Sequence, residues 1–261
     1  QLDILLKDII SKQMLADVPV GAFLSGGVDS STIAALMQAQ STSKIKTFTI
    51  GFNEDKQNEA DYAKKISDHL GTDHTELILS AADAKNIIPM IPTIYDEPFA
   101  DSSQIPTYLV SKLARNDVKV ALTGDGADEI LCGYNRYQVS NKLWGRYNKI
   151  PHCLRKIGSQ TISKIPAGVL NSLHKVFPMI NKSNNFSDRV FKGGRLLKAE
   201  SIDQFYLEFI SYWNNPEALV INSKEPKTIL NSNNKSAHNM TNTERMMYLD
   251  LLSYLPGDIL T

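Results

Sequence analysis

Residues 18–37 read VPVGAFLSGGVDSSTIAALM, and this stretch decides how the chain is expected to fold. Its first part, Val18 to Leu24, is a short apolar run rich in residues that favour β-strands. Gly26 and Gly27 then interrupt the run, because glycine tolerates tight turns that other residues avoid. The residues from Ser30 to Met37 have the pattern of a helix. The stretch therefore predicts a strand, a glycine turn and a helix in immediate succession.

The same alternation of helix and strand signals extends from residue 1 to about residue 125. Gly71 occupies the C-terminal cap position of one helix. Pro89 and Pro92 fall inside another segment that we nevertheless expect to be helical. Short apolar strands between helices indicate an α/β fold with a doubly wound parallel sheet and flanking helices. The predicted helices are 2–14, 59–70, 81–95 and 105–116, and the other predicted strands are 45–52, 74–79 and 118–122.

Composition excludes several classes of protein. The 28 Lys and Arg residues balance the 28 Asp and Glu residues, so no overall field attracts nucleic acid or an acidic membrane. Cys132 and Cys153 are too few for a disulfide scaffold and fit a reducing compartment. No apolar run approaches the roughly 20 residues that span a bilayer, and the N-terminus lacks the pattern of a signal peptide. We therefore expect a cytoplasmic protein that binds any anion in a local site.

The pattern of the sequence changes after about residue 140, and we place a domain boundary there. The chain begins inside a helical pattern without Met and ends without a stop signal, so we expect a piece of a longer protein. The predicted parts are an α/β core over 1–140 and a mostly helical part over 141–261, with helical patterns at 141–180 and 243–255 and Asn/Ser-rich loops at 181–187 and 231–243.

The glycine turn is expected to hold phosphate groups. Its backbone N–H groups can approach a ligand, the helix that follows has unpaired donors and a partial positive charge, and Ser25 and Ser30 add hydroxyl groups. The turn lacks the Gly-Lys-Ser/Thr ending of a Walker loop and the G-x-G-x-x-G of dinucleotide-binding proteins. Asp29 would repel phosphate unless a cation lay between them, so we infer Mg²⁺. The alternative is a plain turn in which Asp29 or Ser30 only caps the helix.

A second turn, from Thr123 to Glu129, reads TGDGADE and follows the last predicted strand. Its three carboxylates repel one another unless a cation or a substrate amine is nearby. Asp125 and Asp128 are expected to share one helix face, and both turns should lie at the same sheet edge, where ligands of parallel sheets bind. The alternative is a solvated acidic first turn that the helix dipole favours. Asp101, which lies between the two turns in sequence, is either a helix N-cap or a residue that faces the ligand.

These strings resemble a known family. The loop from Ser25 to Ser30 is similar to the PP-loop, S-G-G-x-D-S, of the N-type ATP pyrophosphatases. The wider pattern resembles the synthetase domain of glutamine-dependent asparagine synthetases, densely over residues 1–137 and weakly over 141–240. This resemblance implies an adenine nucleotide alpha hydrolase-like fold. The strings that carry it are Asp17–Leu24, Ser25–Ser30, Asp96–Pro98, Ile105–Tyr108, Gly124–Glu129, Gly133–Tyr134 and Leu255–Leu260.

The resemblance implies a ligase that uses ATP in two steps. The side-chain carboxylate of aspartate attacks the α-phosphorus of Mg-ATP to give β-aspartyl-AMP and pyrophosphate, and ammonia then displaces AMP to give asparagine. Asp29 and Asp128 would hold Mg²⁺, and Asp125, the candidate catalytic residue, would orient ammonia or take its proton. The positions implied to bind the nucleotide are Phe23, Leu24, Ser25, Gly26, Gly27, Asp29, Ser30, Ile50, Thr123 and Gly124.

The chain departs from the family pattern in three respects. The family's glutaminase, with its terminal Cys nucleophile, is expected N-terminal to this piece, which should not hydrolyse glutamine itself. The basic segment that follows Leu260 in the family, including a lysine that contacts phosphate, is missing, so we expect this piece to bind nucleotide weakly and to turn over poorly. Leu131-Cys132 replaces the more usual Phe-Gly, and we expect that effect to be minor.

Other functions stay open at this point. Related amidotransferases of polysaccharide gene clusters share these strings but amidate a sugar carboxylate, and the divergent residues 141–240 are where acceptor choice would differ. A nucleotide-binding regulatory module without catalysis is a second alternative, although a mere binder need not keep Asp29, Asp125 and Asp128. A relative that acts on a base, of the thiolase or GMP synthetase type, is a third alternative, and the neutral charge and missing basic patch disfavour tRNA as its substrate. We expect small-molecule substrates and no nucleic acid or membrane partner, and a homodimer stays open.

Overall fold

The computed structural model describes residues 1–53, 59–96, 101–176, 186–213, 215–232 and 239–260. The chain forms two compact units. The first consists of Gln1–Ala127 together with Leu255–Thr261, and the second consists of Asp128–Tyr254. The predicted domain boundary near residue 140 stays a prediction. No helix among the described residues combines the length and the apolar character that crossing a membrane requires.

The first unit is built on a parallel four-stranded sheet. Its strands are β1 (Val20–Phe23), β2 (Lys46–Phe52), β3 (Asp73–Leu79) and β4 (Val120–Leu122), in the spatial order β3-β2-β1-β4. β1 pairs with β2 through Phe23 and Phe48 and with β4 through Ala22 and Leu122. The strand order therefore reverses direction between β1 and β4, and such a reversal is where ligands bind in open α/β sheets.

Helices cover both faces of this sheet because successive strand residues point in opposite directions. Ala22 is fully buried against α1, α2 and α3, whereas Phe23 and its neighbour Phe48 pack on the side of α6. This arrangement confirms the predicted doubly wound parallel sheet. The helices of the first unit are α1 (Leu2–Gln13), α2 (Val28–Gln40), α3 (Glu59–Leu70), α4 (Ala81–Ile87), α5 (Ile91–Ile94) and α6 (Gln104–Ala114).

The predicted helix over 81–95 is wrong as a single element. α4 ends at Ile87, a 3₁₀ turn follows over Ile88–Met90, and α5 is only four residues long. Each proline lies within the first two positions of a short element, where its missing N–H costs nothing. By contrast, α3 has the predicted bounds, because Gly71 follows it with a φ of +73° that stops the helix.

The second unit is helical, which confirms the mostly helical C-terminal part. The predicted loop over 181–187 falls largely outside the described residues, but Phe186 and Ser187 lie in a helix, so the loop is wrong there. The predicted loop over 231–243 likewise has 233–238 outside the described residues. The helices are α7 (Ala127–Leu131), which starts at the last residue of the first unit, α8 (Asn135–Tyr147), α9 (His152–Ser163), α10 (Ala167–Val176), α11 (Phe186–Leu196), α12 (Ile202–Ile210) and α13 (Asn242–Leu252).

A buried carboxylate joins three helices of the second unit. Asp250 on α13 is fully buried, and its Oδ2 accepts hydrogen bonds from the Tyr137 hydroxyl at 2.8 Å and from the Tyr206 hydroxyl at 2.5 Å. Arg136 donates to the same oxygen from Nη2 at 2.7 Å. Burial, together with this carboxylate, raises the pKa of both tyrosines, so their hydroxyls stay protonated donors. The cluster fixes α8, α12 and α13 to one another.

Candidate functional site

The loop between β1 and α2 is held close to the sheet and to α3. The Leu24 N–H donates to the Phe48 carbonyl at 2.9 Å, which continues the β1–β2 ladder into the loop. Gly26 has a φ of +81°, and a Cβ at this position would lie 2.6 Å from the Tyr62 Cβ. No other residue type fits such a backbone angle in so little space. The glycine in the motif is therefore required by the packing of the loop on α3.

Hydroxyl groups tie the two ends of this loop together. The Ser25 and Ser30 Oγ atoms are 2.9 Å apart, and the Ser25 N–H also donates to Ser30 Oγ at 3.2 Å. The alternative in which Asp29 or Ser30 caps α2 is wrong. The helix begins at Val28, its N-cap residue is Gly27, and within the described part of the chain no side chain caps it. A helix start without a side-chain cap keeps first-turn N–H groups that an anion can accept from.

The structure places the two glycine turns side by side. β4 pairs with β1, and the acidic turn follows β4 directly. A Cβ built on Gly124 would lie 2.8 Å from the Ser30 backbone N and 3.0 Å from the Asp29 Cβ. The glycine at position 124 therefore lets the second turn rest on the start of α2. This contact connects the two strings that the sequence singled out separately.

Asp125 occupies the exposed part of the second turn. Its N–H donates to Thr123 Oγ1 at 3.3 Å, and the following Gly126 has a φ of +88°. Because α7 begins only at Ala127, Asp125 precedes the helix. The expectation that Asp125 and Asp128 share one helix face is therefore wrong. Asp128 belongs to the second compact unit, whereas Asp29 and Asp125 belong to the first.

Asp101 does not cap the helix that follows it. The N-cap residue of α6 is Ser103, and Asp101 instead accepts a hydrogen bond from the Ser103 N–H through Oδ1 at 2.7 Å. This contact is a local turn that brings the chain into α6. The neighbouring residues 97–100, which carry most of the string that starts at Asp96, lie outside the described residues.

A cavity of about 160 Å³ opens beside the first loop. It brings together four of the predicted nucleotide-binding residues, and its walls combine aromatic and aliphatic side chains with hydroxyl groups and one carboxylate. Its volume lies below the ~300 Å³ of small drug-sized pockets, so it suits one portion of a ligand. Its lining residues are Phe23, Leu24, Ser25, Phe48, Thr49, Ile50, Glu59, Pro106, Thr107 and Val110.

Several lining residues escaped the sequence analysis. Thr49 lies on β2 beside Ile50, Glu59 is the first residue of α3, and Thr107 lies in the first turn of α6. Thr107 belongs to a string that carried the family resemblance, which is a signal that could have found it. Thr49 and Glu59 carry no such signal, because only the assembled sheet and helices place them against Phe23. Ser25 belongs both to this cavity and to the hydroxyl-lined loop.

Asp29 and Asp128 are the two residues that the sequence predicts as ligands of a divalent metal. Among the described residues, no group of three or more His, Cys, Asp or Glu side chains is placed to hold a metal ion. Mg²⁺ commonly uses one or two carboxylates and completes its shell with water and phosphate oxygens. Gly124 lies beside Asp29, and Gly133 lies beside Asp128. In each case a Cβ on the glycine would crowd the aspartate. Each of these carboxylates by itself fits that mode of binding.

Comparison with known proteins identifies a family and several relatives. The profile of the asparagine synthase family matches residues 1–261. A putative glutamine-hydrolysing asparagine synthetase 2 of Methanocaldococcus jannaschii is 42% identical over 169 residues, which are 64% of this chain and 32% of the relative. Asparagine synthetase 1 of Bacillus subtilis is 38% identical over 162 residues, or 62% of this chain and 25% of the relative. A putative asparagine synthetase of Mycobacterium bovis is 31% identical over 257 residues, or 98% and 36%.

The chain thus spans between 25% and 36% of the length of these relatives. Among solved structures, an NH3-dependent NAD synthetase from Campylobacter jejuni, in complex with nitrate, covers 75% of this chain and 94% of its own. Its sequence identity is 12% and its TM-score is 0.37, and a similarity this low supports no argument about function.

Proposed function

This chain belongs to the asparagine synthase family, and from that membership we propose that it is the ATP-using part of an amide-forming ligase. The proposed reaction activates the side-chain carboxylate of aspartate. The carboxylate oxygen attacks the α-phosphorus of ATP, and the bond to pyrophosphate breaks. Ammonia then forms a bond to the acyl carbon, loses a proton, and AMP leaves with the oxygen that linked it to the acyl group. Adenylation is needed because a free carboxylate has a poor leaving group.

The contact of Gly124 with Asp29 and Ser30 carries this proposal. It places an acidic turn against a phosphate-type loop at the point where the strand order reverses, and one ligand can reach both. Ser25 lines the adjacent cavity and also belongs to the loop. We assign the nucleoside to the cavity and the phosphates to the loop and the first turn of α2. The apolar wall of Phe23 and Ile50 would face the base, and the hydroxyl of Thr107 would face its polar atoms.

Mg²⁺ is the cation we propose for the phosphates. A helix N-terminus supplies about half a charge, whereas a triphosphate carries several, so the loop alone leaves most of that charge uncompensated. Asp29, in the first turn of α2, and Asp128, in the first turn of α7, would hold the ion. When bound, it would neutralise phosphate charge and favour departure of pyrophosphate.

Asp125 is the residue that we propose for the ammonia step. Its carboxylate is exposed at the tip of the second turn, in the same unit as the loop, and it is free to meet a substrate. A carboxylate at this point can accept a hydrogen bond from ammonia and take up the proton that the amine must lose. Its charge would also orient ammonia toward the acyl carbon. These roles place Asp125 in the second half-reaction rather than in adenylation.

The source of ammonia is a proposal that follows from the relatives. Those in M. jannaschii and B. subtilis are named glutamine-hydrolysing synthetases, and this chain covers only a part of each. We propose that a glutaminase domain N-terminal to residue 1 supplies ammonia in the complete protein. We also propose a cytoplasmic location, where ATP and aspartate are available and where Cys132 and Cys153 stay reduced.

Isotope exchange between pyrophosphate and ATP tests the two roles separately. In the complete protein, Asp29→Asn should reduce aspartate-dependent exchange and amide formation together, by about 100-fold or more. Asp125→Asn should reduce amide formation by a similar factor and leave exchange much less affected. Asp61→Asn, an exposed change on α3, serves as the matched control and should alter neither rate.

Three results would each contradict a part of the proposal. If Asp29→Asn kept parental exchange, the loop would not handle the phosphates of ATP. If exchange required a uronic acid nucleotide instead of aspartate, the ATP site would stand but the acceptor would be a sugar carboxylate. Equal losses of exchange and amide formation in Asp125→Asn would move that residue from the ammonia step to adenylation.

A further inference from the structure

The short helix α7 ends in a turn that folds back on its own first residues. Cys132 has a φ of +62°, and the Gly133 N–H donates to the Asp128 carbonyl at 3.0 Å. A left-handed residue followed by this hydrogen bond is the Schellman arrangement, in which the chain reverses at the end of a helix. The reversal brings the backbone of Gly133 against the residue at which the turn began. We call residues 128–133 the α7 turn.

Gly133 lies in direct contact with the carboxylate of Asp128. A Cβ built on Gly133 would lie 1.8 Å from Asp128 Oδ1 and 2.8 Å from its Cγ. The φ of Gly133 is not among the positive values of this chain, so its backbone angle suits any residue. Glycine is therefore needed here for space alone. A side chain at position 133 would occupy the space that the Asp128 carboxylate fills.

The residues on either side of this contact are themselves fixed. Glu129 is only 2% exposed, and its Oε1 accepts a hydrogen bond from the Tyr134 hydroxyl at 2.8 Å. Burial and this hydrogen bond raise the pKa of Tyr134, so the hydroxyl remains a donor. The Arg136 guanidinium lies 4.0 Å from the centre of the Tyr134 ring. Glu129 directly follows Asp128, and Tyr134 directly follows Gly133. The Tyr134–Glu129 hydrogen bond therefore fixes the backbone next to both residues of the contact.

We infer that Gly133 is a positioning residue, which holds the Asp128 carboxylate in the orientation that a divalent cation bound with ATP requires. The inference rests on the proposed function, which assigns the cation to Asp128. Mg²⁺ demands near-ideal octahedral geometry, so a carboxylate that cannot rotate freely is a better ligand than a mobile one. A side chain at position 133 would displace Oδ1 by about 1 Å or more, and shifts of that size can cost about 100-fold in a positioned site.

A double-mutant cycle tests this inference in the complete protein, with Mn²⁺ as the probe. The free Mn²⁺ signal in electron paramagnetic resonance gives the Mn²⁺ affinity in the presence of ATP, independently of turnover. Gly133→Ala should weaken that affinity at least tenfold. In an Asp128→Ala background the same change should have no further effect, because the atoms it would meet at 1.8 and 2.8 Å are gone. Gly145→Ala on α8, where a Cβ meets nothing within 4 Å, is the matched control.

The outcomes separate this inference from the proposed function. If Asp128→Ala leaves the Mn²⁺ affinity unchanged, the proposed cation role of Asp128 fails, and the inference fails with it. If Asp128→Ala weakens binding but Gly133→Ala does not, only the positioning role is overturned. The positioning role would also be overturned if Gly133→Ala reduced the Mn²⁺ affinity equally in the parental protein and in the Asp128→Ala variant. Should Gly133→Ala not fold, the double variant must fold if the collision is with the carboxylate, and its failure to fold would refute the inference.

Discussion

The contact between the two glycine turns makes Gly124→Ala the most informative single substitution. The added Cβ would lie 2.8 Å from the Ser30 N and 3.0 Å from the Asp29 carbonyl carbon and Cβ, whereas ordinary contacts begin near 3.4 Å. Two of these three atoms belong to the backbone at the start of α2, so no side-chain rotation relieves the crowding. The turns must separate by about 0.6 Å at the tightest point, the difference between 3.4 and 2.8 Å.

Overpacking of this kind typically costs about 1–3 kcal/mol. If the whole cost appears in the ATP-bound transition state, at about 1.4 kcal/mol per factor of ten, kcat/KM for ATP falls roughly 5- to 150-fold. Aspartate-dependent exchange of pyrophosphate into ATP measures this loss, and thermal unfolding of the same samples measures any loss of stability. Gly168→Ala on α10, where a Cβ meets nothing within 4 Å, is the control and should leave exchange unchanged.

Two outcomes for Gly124→Ala would contradict a shared ligand site at the two turns. Parental exchange together with parental stability would mean that the second turn does not rest on α2 as described. A loss of stability with parental exchange would mean that the spacing of the turns matters for folding and not for ATP. A shared ligand site is supported only if Gly124→Ala loses more pyrophosphate exchange than the Gly168→Ala control does.

Two further changes test the second unit. Cys132→Gly should raise the free energy of unfolding by about 1 kcal/mol in urea titrations, because glycine adopts the +62° φ without the steric cost that a Cβ imposes. A decrease would mean that the Cys132 side chain, which packs against the core that includes Tyr137, contributes more than that cost. Asp250→Asn should lower the unfolding free energy by about 3 kcal/mol or more, because Arg136 and two tyrosine hydroxyls lose a buried anion. Parental stability in that variant would show that the cluster does not hold α8, α12 and α13 together.

The local sequence pattern was sufficient to predict many of the helices and strands of the first unit. The bounds of α3 follow from its periodicity and from Gly71, because a helix with glycine in the left-handed region after it has a clear stop. The segment 81–95 shows the limit of the same reasoning. Its apolar pattern favours a helix, but Pro89 and Pro92 divide it into short elements whose bounds depend on packing. The N-cap of α2 shows a similar limit, since Gly27 rather than a polar side chain starts the helix.

The sequence by itself determined which chemical groups lie in each turn. Two glycines, hydroxyl groups and Asp29 without a lysine favour a phosphate loop that needs a cation, because turn conformation and charge are properties of neighbouring residues. It also determined the alternation of strands and helices, and from it the expectation that both turns share one edge of the sheet.

Only the tertiary structure decided which of these groups touch. Gly124 meets Asp29 because β4 pairs with β1, although nearly one hundred residues separate them in the chain. Thr49 and Glu59 line one cavity with Ile50 because the sheet and α3 assemble around it. Contacts between distant positions depend on strand order and backbone reversal, and residue type does not reveal either. The missing Cβ atoms of Gly124 and Gly133 acquire their meaning only in that context, as spaces beside the two aspartates proposed to bind the cation.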